Sequence, residues 1–335
     1  MLLQPSQQRA GVISTSERGR PVVTGGPVRT VRTDTGQIIR AGAAQIGITT
    51  TSSLFQDAAW AAGRALGLNT FRCGVNSATL SIPIGTLLSN IDLVVERARV
   101  NRMYLMLGYF VTTPGTWEDD VSANTTQWVN FWSAAAARYR DVPHVFFEMV
   151  NEPTAWGQIS TYTAAVKSGL KIVYDAMRSA APDSLIVFLG AANLNPSAAQ
   201  YISLMPTFDS LGNGQPIDWN KTALGHHYYN STQKLAVSGN LNNATDNGEA
   251  GLRALAAVYP LLGTETNWWV EETRLSLVDS TDLYERIGLG WTLLRQPGQT
   301  SPYPTHSYGQ PPLGPAFLDN KIAQLRDRGF TIPVE

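Results

Sequence analysis

The stretch His144 to Pro153, HVFFEMVNEP, decides the fold. A short apolar run, broken only by Glu148, ends abruptly in Asn151-Glu152-Pro153. An apolar run of this length bounded by turn residues reads as a buried strand that stops where a loop begins. Upstream, Trp128, Trp132, Ala135 and Tyr139 recur at spacings of 4, 3 and 4, the stripe of an amphipathic helix. Only Asp141 to Pro143 separate that stripe from the strand. Helix, short connection and buried strand ending in polar residues form one βα repeat.

Working outward, the same repeat recurs. Eight apolar runs appear at 43–49, 69–75, 103–110, 144–150, 184–190, 222–229, 261–265 and 290–294. Further helical stripes lie between them, such as Leu87, Ile91, Val94 and Ala98, or Val166, Leu170, Val173 and Met177. Strands alternating with helices predict a parallel sheet, either doubly wound or closed. The loops favour closure. Connections into strands are short, while those leaving strands are long and rich in Asn, Ser, Gly, Pro and Trp, notably 230–247, 266–280 and 295–315. A (β/α)8 TIM barrel builds its site from the loops after the strands and keeps the opposite face for stability. The expected fold class is therefore α/β, a single-domain barrel over 29–335 preceded by a polar extension over 1–28.

Composition narrows the function. Lys plus Arg number 25 and Asp plus Glu 26 in 335 residues, a net charge of −1 that argues against nucleic acid or an anionic membrane as the partner. One cysteine, Cys73, excludes an intrachain disulfide framework and a thiolate zinc cluster, and it reads as a small core filler. No His-Glu-x-x-His, Walker loop or G-x-S-x-G is present, so neither a metal nor a cofactor is expected. No run approaches the roughly 18 apolar residues of a membrane span, and Leu2-Leu3 is too short for a secretory core. Nine tryptophans are many, and those in polar loops, Trp156, Trp268 and Trp269, are candidates to face a ligand. Trp60, Trp128 and Trp132 lie in helical stripes and read as core, as does His144 at a strand start.

Two carboxylates stand where strands meet loops. Glu152 closes the fourth run, and strict alternation would place Glu148, Val150 and Glu152 on one side, with Pro153 holding Glu152 extended. Glu265 closes the seventh, LLGTE, with Glu271 and Glu272 nearby as an alternative pair. A proton donor and a nucleophile flanking an oxocarbenium-like transition state are what glycoside hydrolysis requires. Flat indole faces suit pyranose rings.

These residues resemble glycoside hydrolase family 5, or a close relative in the same superfamily of (β/α)8 retaining glycosidases, over about Val31 to Phe330. The most specific segment is Trp128 to Pro153, with its helix and its strand ending in Asn-Glu-Pro. The resemblance implies that Glu152 is the acid/base and Glu265 the nucleophile. It implies that Asn151 bonds a sugar 2-hydroxyl and that Arg72, in Asn69-Thr70-Phe71-Arg72, keeps the nucleophile ionised. The family's His-x-Tyr falls on His227 and Tyr229, or one residue earlier on His226 and Tyr228, and its eighth-strand tryptophan on Trp291. The segment Val31 to Arg40 resembles the hairpin that plugs the barrel bottom. Where the family often ends its third strand in His, this chain has Leu107-Gly108-Tyr109-Phe110, and Tyr109 is the candidate substrate contact there.

The implied reaction is endo-acting, retaining cleavage of a neutral β-linked polysaccharide or oligosaccharide of glucan or mannan type, by a monomer without cofactor. The resemblance implies an extracellular location, although no leader is read in this chain. An exo-acting glycosidase or transglycosylase of the same superfamily is one alternative. A non-catalytic carbohydrate-binding barrel is another, which would not need both carboxylates.

Overall fold

The computed structural model describes residues 18–46, 57–65, 68–76, 79–110, 117–153, 159–191, 197–228, 249–266, 284–285 and 287–293. Two short strands come first, β1 (Val22–Thr24) and β2 (Thr30–Arg32), paired antiparallel. Eight strands follow: β3 (Arg40–Ile46), β4 (Thr70–Asn76), β5 (Tyr104–Phe110), β6 (Val145–Asn151), β7 (Ile186–Ala191), β8 (Thr222–Tyr228), β9 (Leu261–Thr266) and β10 (Trp291–Leu293). Each pairs in parallel with the next, and β10 returns to pair with β3. The sheet closes, and the fold is a (β/α)8 barrel.

Helices α1 (Asp57–Ala65), α2 (Ile84–Val100), α3 (Trp117–Tyr139), α4 (Ala164–Ala180), α5 (Ala198–Leu204) and α6 (Glu249–Ala256) occupy the crossovers. The stripes legible in the sequence are their inward faces: Leu87, Ile91, Val94 and Ala98 of α2, Trp128, Trp132, Ala135 and Tyr139 of α3, and Val166, Leu170, Val173 and Met177 of α4 are all buried. Thr163 caps α4 by accepting the amide of Val166, which satisfies one of the donors a helix start leaves open. Among the described residues no helix is long and apolar enough to cross a membrane.

Two apolar cores result. The larger fills the layer between barrel and helices and takes in Trp60, Trp128, Trp132 and Cys73. Burial pushes the Cys73 thiol well above its ordinary range, against the pull of Arg72, which suits a filler. His144 is buried in that layer with Nε2 3.0 Å from the Val95 carbonyl. The smaller core fills the lower barrel with Ile39, Ala41, Tyr104, Met106, Phe146, Val187, Ala223 and Leu262. Val31 of β2 joins it from below, so the Val31 to Arg40 segment does close the barrel floor. The Tyr104 hydroxyl donates to Asp34 at 2.6 Å, and Gly19 donates its amide to the same carboxylate at 2.6 Å. Strand β1 and Gly19 thus lie within the stretch read as a polar extension and are tied to the floor.

Above the apolar floor the strands need bulges. Gly108 and Phe110 of β5 pair with Glu148 and Asn151 of β6, so β6 carries one extra residue there. His226 and His227 of β8 pair with Gly263 and Glu265, so β9 carries one as well. Gly74 is required where β4 passes β5, because a Cβ at that position would stand 2.0 Å from the Gly108 carbonyl oxygen. These irregularities sit at the strand ends that carry the polar residues.

Candidate active site

The floor residues face an upper layer that is charged. Arg72 on β4 is buried with its side chain closed off from solvent. Its Nε donates to Glu148 Oε2 at 2.5 Å and its Nη2 to Glu148 Oε1 at 2.8 Å. Its Nη1 donates to Glu265 Oε1 at 2.7 Å, and Nη2 also donates to Asn151 Oδ1. Phe110, at the end of β5, lies under the guanidinium with its ring centroid 4.5 Å from Cζ. Burial alone would lower the Arg72 pKa, but the carboxylates of Glu148 and Glu265 raise it above the ordinary value, so the charge stays in place.

On the other side of Glu265, His227 presents Nδ1 to Glu152 Oε1 at 2.7 Å and to Glu265 Oε2 at 3.4 Å. One ligating atom from each of Glu152, His227 and Glu265 lies within 4.8 Å of the others. This trio is also the set of described residues with the geometry to hold a cation. Side-chain exposure grades outward, from 0 % for Glu148 through 7 % for Glu265 to 22 % for Glu152. Glu265 is therefore set in the wall, and Glu152 is the carboxyl that opens to the cleft.

The β6 bulge corrects two expectations. Strict alternation is broken, so Glu148 and Asn151, three apart, both face Arg72, while Val150 joins the outer core. Glu152 is not extended either: its φ is +50°, in the left-handed region. Residues other than Gly, Asn and Asp rarely adopt it, at a cost of about 1–3 kcal/mol. The observed bond to His227 is the arrangement this turn accompanies.

The structure thus brings together Arg72, Asn151, Glu152, His227 and Glu265. Of the two adjacent histidines, His227 is the one that faces the carboxylates. His226 points outward, with Nε2 2.5 Å from the Tyr284 hydroxyl and its ring stacked on that tyrosine. Tyr109 is a correction: even-numbered residues of β5 face the barrel, so Tyr109 faces α3 and packs on Trp128 at 4.5 Å between ring centroids. Trp291 is another. It is the first residue of β10, pairs with the first residue of β3 and joins the outer core. There its Nε1 donates to Glu285 Oε1 at 2.9 Å, so it cannot floor a sugar at the strand ends. Tyr229, Trp156, Trp268 and Trp269 lie outside the described residues. Sequence reasoning passed over Glu148 and Phe110 as site residues. A charged residue inside an otherwise apolar run was the signal for Glu148.

His226 also carries a stability prediction. Burial, followed by the neighbouring His227, pushes its pKa down to about 3, against the Leu262 carbonyl that raises it. The unfolded chain takes up this proton near pH 6.5, so the contribution is complete above that pH and is lost as pH falls toward 3. In urea titrations, His226→Gln is expected to shrink the loss of stability between pH 7 and pH 5 by about 1–2 kcal/mol. An unchanged difference would show that His226 is not buried neutral.

Three comparisons bear on this arrangement. The model of the family described as Cellulase (glycosyl hydrolase family 5) matches residues 44–267, a span that holds Arg72, Asn151, Glu152, His227 and Glu265 and ends before Trp291. Endoglucanase Z of Dickeya dadantii is 25 % identical over 162 residues, which are 48 % of this chain and 33 % of that protein. The match thus spans a third of that relative's length. Among solved structures, a β-glucanase from Saccharophagus degradans superposes with a TM-score of 0.66 at 18 % identity, covering 94 % of this chain and 96 % of the other. The catalytic domain of a Thermobifida fusca endoglucanase gives 0.62 at 17 %, covering 92 % and 97 %. A β-mannanase from Streptomyces thermolilacinus gives 0.59 at 17 %, covering 84 % and 87 %. At such identities the structures speak for the barrel, and the family model, which spans most of the chain, speaks for descent: the chain belongs to glycosyl hydrolase family 5.

Proposed function

We propose that this protein is a retaining, endo-acting β-glycoside hydrolase, with Glu265 as nucleophile and Glu152 as acid/base. The observation that carries the reading is the approach of the two carboxyl groups across His227, with oxygens within 4.8 Å. Retaining enzymes hold their carboxyls about 5–5.5 Å apart, whereas inverting ones leave about 6.5–9.5 Å for a water.

In the first step a Glu265 oxygen bonds to the anomeric carbon as the glycosidic bond breaks, and the leaving oxygen takes the proton of Glu152. In the second, Glu152 accepts a proton from water, whose oxygen displaces Glu265 and restores the β configuration. Arg72 donates to the Glu265 carboxylate and favours its charged form. Because a guanidinium only donates, the Asn151 oxygen must face Arg72, which turns the amide NH2 toward the cleft. Asn151 is therefore a donor to the sugar 2-hydroxyl. The near-zero net charge suits a neutral polymer, and relatives named endoglucanase, β-glucanase and β-mannanase support a glucan or mannan.

The test is a panel of glucan, mannan, xylan and galactan, with the first product's anomer read by NMR and product lengths by chromatography. The β anomer and internal cleavage of a glucan or mannan are expected. An α anomer would overturn retention, short products from chain ends alone would overturn endo action, and binding without turnover would identify a carbohydrate-binding barrel.

A further inference from the structure

Glu148 has no place in the two-step chemistry, yet it is the most deeply buried carboxylate of the cluster. Its burial is built in. At Gly108, opposite it on β5, a Cβ would stand 3.0 Å from Glu148 Oε2, so the strand pair leaves room for this carboxylate. A buried ion pair is a poor way to stabilise a core, since well-packed apolar residues commonly serve as well or better. The barrel already has an apolar floor directly beneath. A stabilising role therefore does not account for the pair.

Its geometry does. Glu148 takes the Nε and Nη2 edge of Arg72 with both oxygens, the planar fork that fixes a guanidinium in one orientation. With that edge held, Nη1 points at Glu265 and the remaining Nη2 hydrogen at Asn151. One residue thus sets the aim of two donors. We propose that Glu148 is a positioning residue for the reaction, locking Arg72 so that it holds the nucleophile Glu265 and orients Asn151 together. This rests on the assignment of Glu265 and Asn151 given above.

Glu148→Gln keeps the shape and removes the charge, and it sets an NH2 against a guanidinium that can only donate. The expected result is a loss of kcat of about a hundredfold, the scale of a misplacement near 1 Å. KM should stay within about threefold. A purely structural carboxylate would lower the melting point and leave kcat of the folded enzyme unchanged. Glu148→Asp, which keeps the charge but cannot span both nitrogens, should recover only part of kcat.

If Glu148→Gln melts below the assay temperature, Glu148→Asp carries the test, because it keeps the Arg72 charge paired. Its kcat should still fall below that of the parent. Wild-type kcat in either folded variant would overturn the proposal. A crystal structure of the variant is a readout independent of turnover: Arg72 is expected to leave Glu265 or Asn151, and Arg72 unmoved would also overturn it. Glu265→Ala separates the two claims, since full activity there would overturn the nucleophile assignment while the crystallographic result for Glu148 would stand.

Discussion

Replacing Glu265 by alanine is expected to lower turnover by about four orders of magnitude or more while leaving the fold intact. The rate loss follows because the two-step route needs a carboxylate to bond to the anomeric carbon, and removing the nucleophile of a concerted site costs nearly everything the site contributes. The fold should survive because Arg72 keeps its two bonds to Glu148 when Glu265 is gone, so no buried charge is stranded. Azide at molar concentration should occupy the vacated space and attack an activated β-glycoside from the opposite face, giving the α-glycosyl azide. In the parent enzyme a fluoroglycoside that forms a slow intermediate should label Glu265, as read by mass spectrometry of its peptide. Label on Glu271 or Glu272, or near-normal turnover in Glu265→Ala, would remove the assignment.

Replacing Glu152 by alanine should produce a different signature, set by how much the departing oxygen needs a proton. For an unactivated polysaccharide the loss is expected to reach about 10²–10⁴-fold, the usual range for general acid catalysis. For a dinitrophenyl glycoside, whose leaving group departs as an anion, the first step should be nearly untouched. The second step then limits the rate, because no base activates water. Azide should relieve that limit by attacking the intermediate held on Glu265, and the product should be the β-glycosyl azide. Opposite azide configurations in the two variants are the decisive comparison. Equal loss on both substrates, with no azide rescue, would count against Glu152 as acid/base. His227 loses its 2.7 Å partner in this variant, so Glu152→Gln is the control that keeps a group in that place.

The site was partly legible in advance, and the residues show why. Glu152 and Glu265 were found because each closes an apolar run, and a strand end in a barrel places whatever it carries at the mouth; Arg72, inside the run 69–75, and Asn151 came only from the family resemblance. Orientation was another matter. Strand β5 is apolar on both sides, Leu105, Leu107 and Tyr109 outward and Tyr104, Met106 and Phe110 inward. Pattern alone therefore did not say that Phe110 rather than Tyr109 meets Arg72. The adjacent histidines posed the same problem, and pairing with β9 decided it.

By itself the sequence determined the repeat: eight apolar runs, the helical stripes between them and the asymmetric loops, all carried by local periodicity and turn residues. It also determined which residue types stand at the strand ends. Only the tertiary structure decided the extra residue in β6 and in β9, the turn of Glu152 into the left-handed region and the burial of Glu148 against Arg72. It likewise placed Trp291 outside the barrel. The physical reason is that a bulge is a property of two paired strands and a buried charge a property of its partner. Neither leaves a period in a single chain, and one inserted residue reverses every facing beyond it.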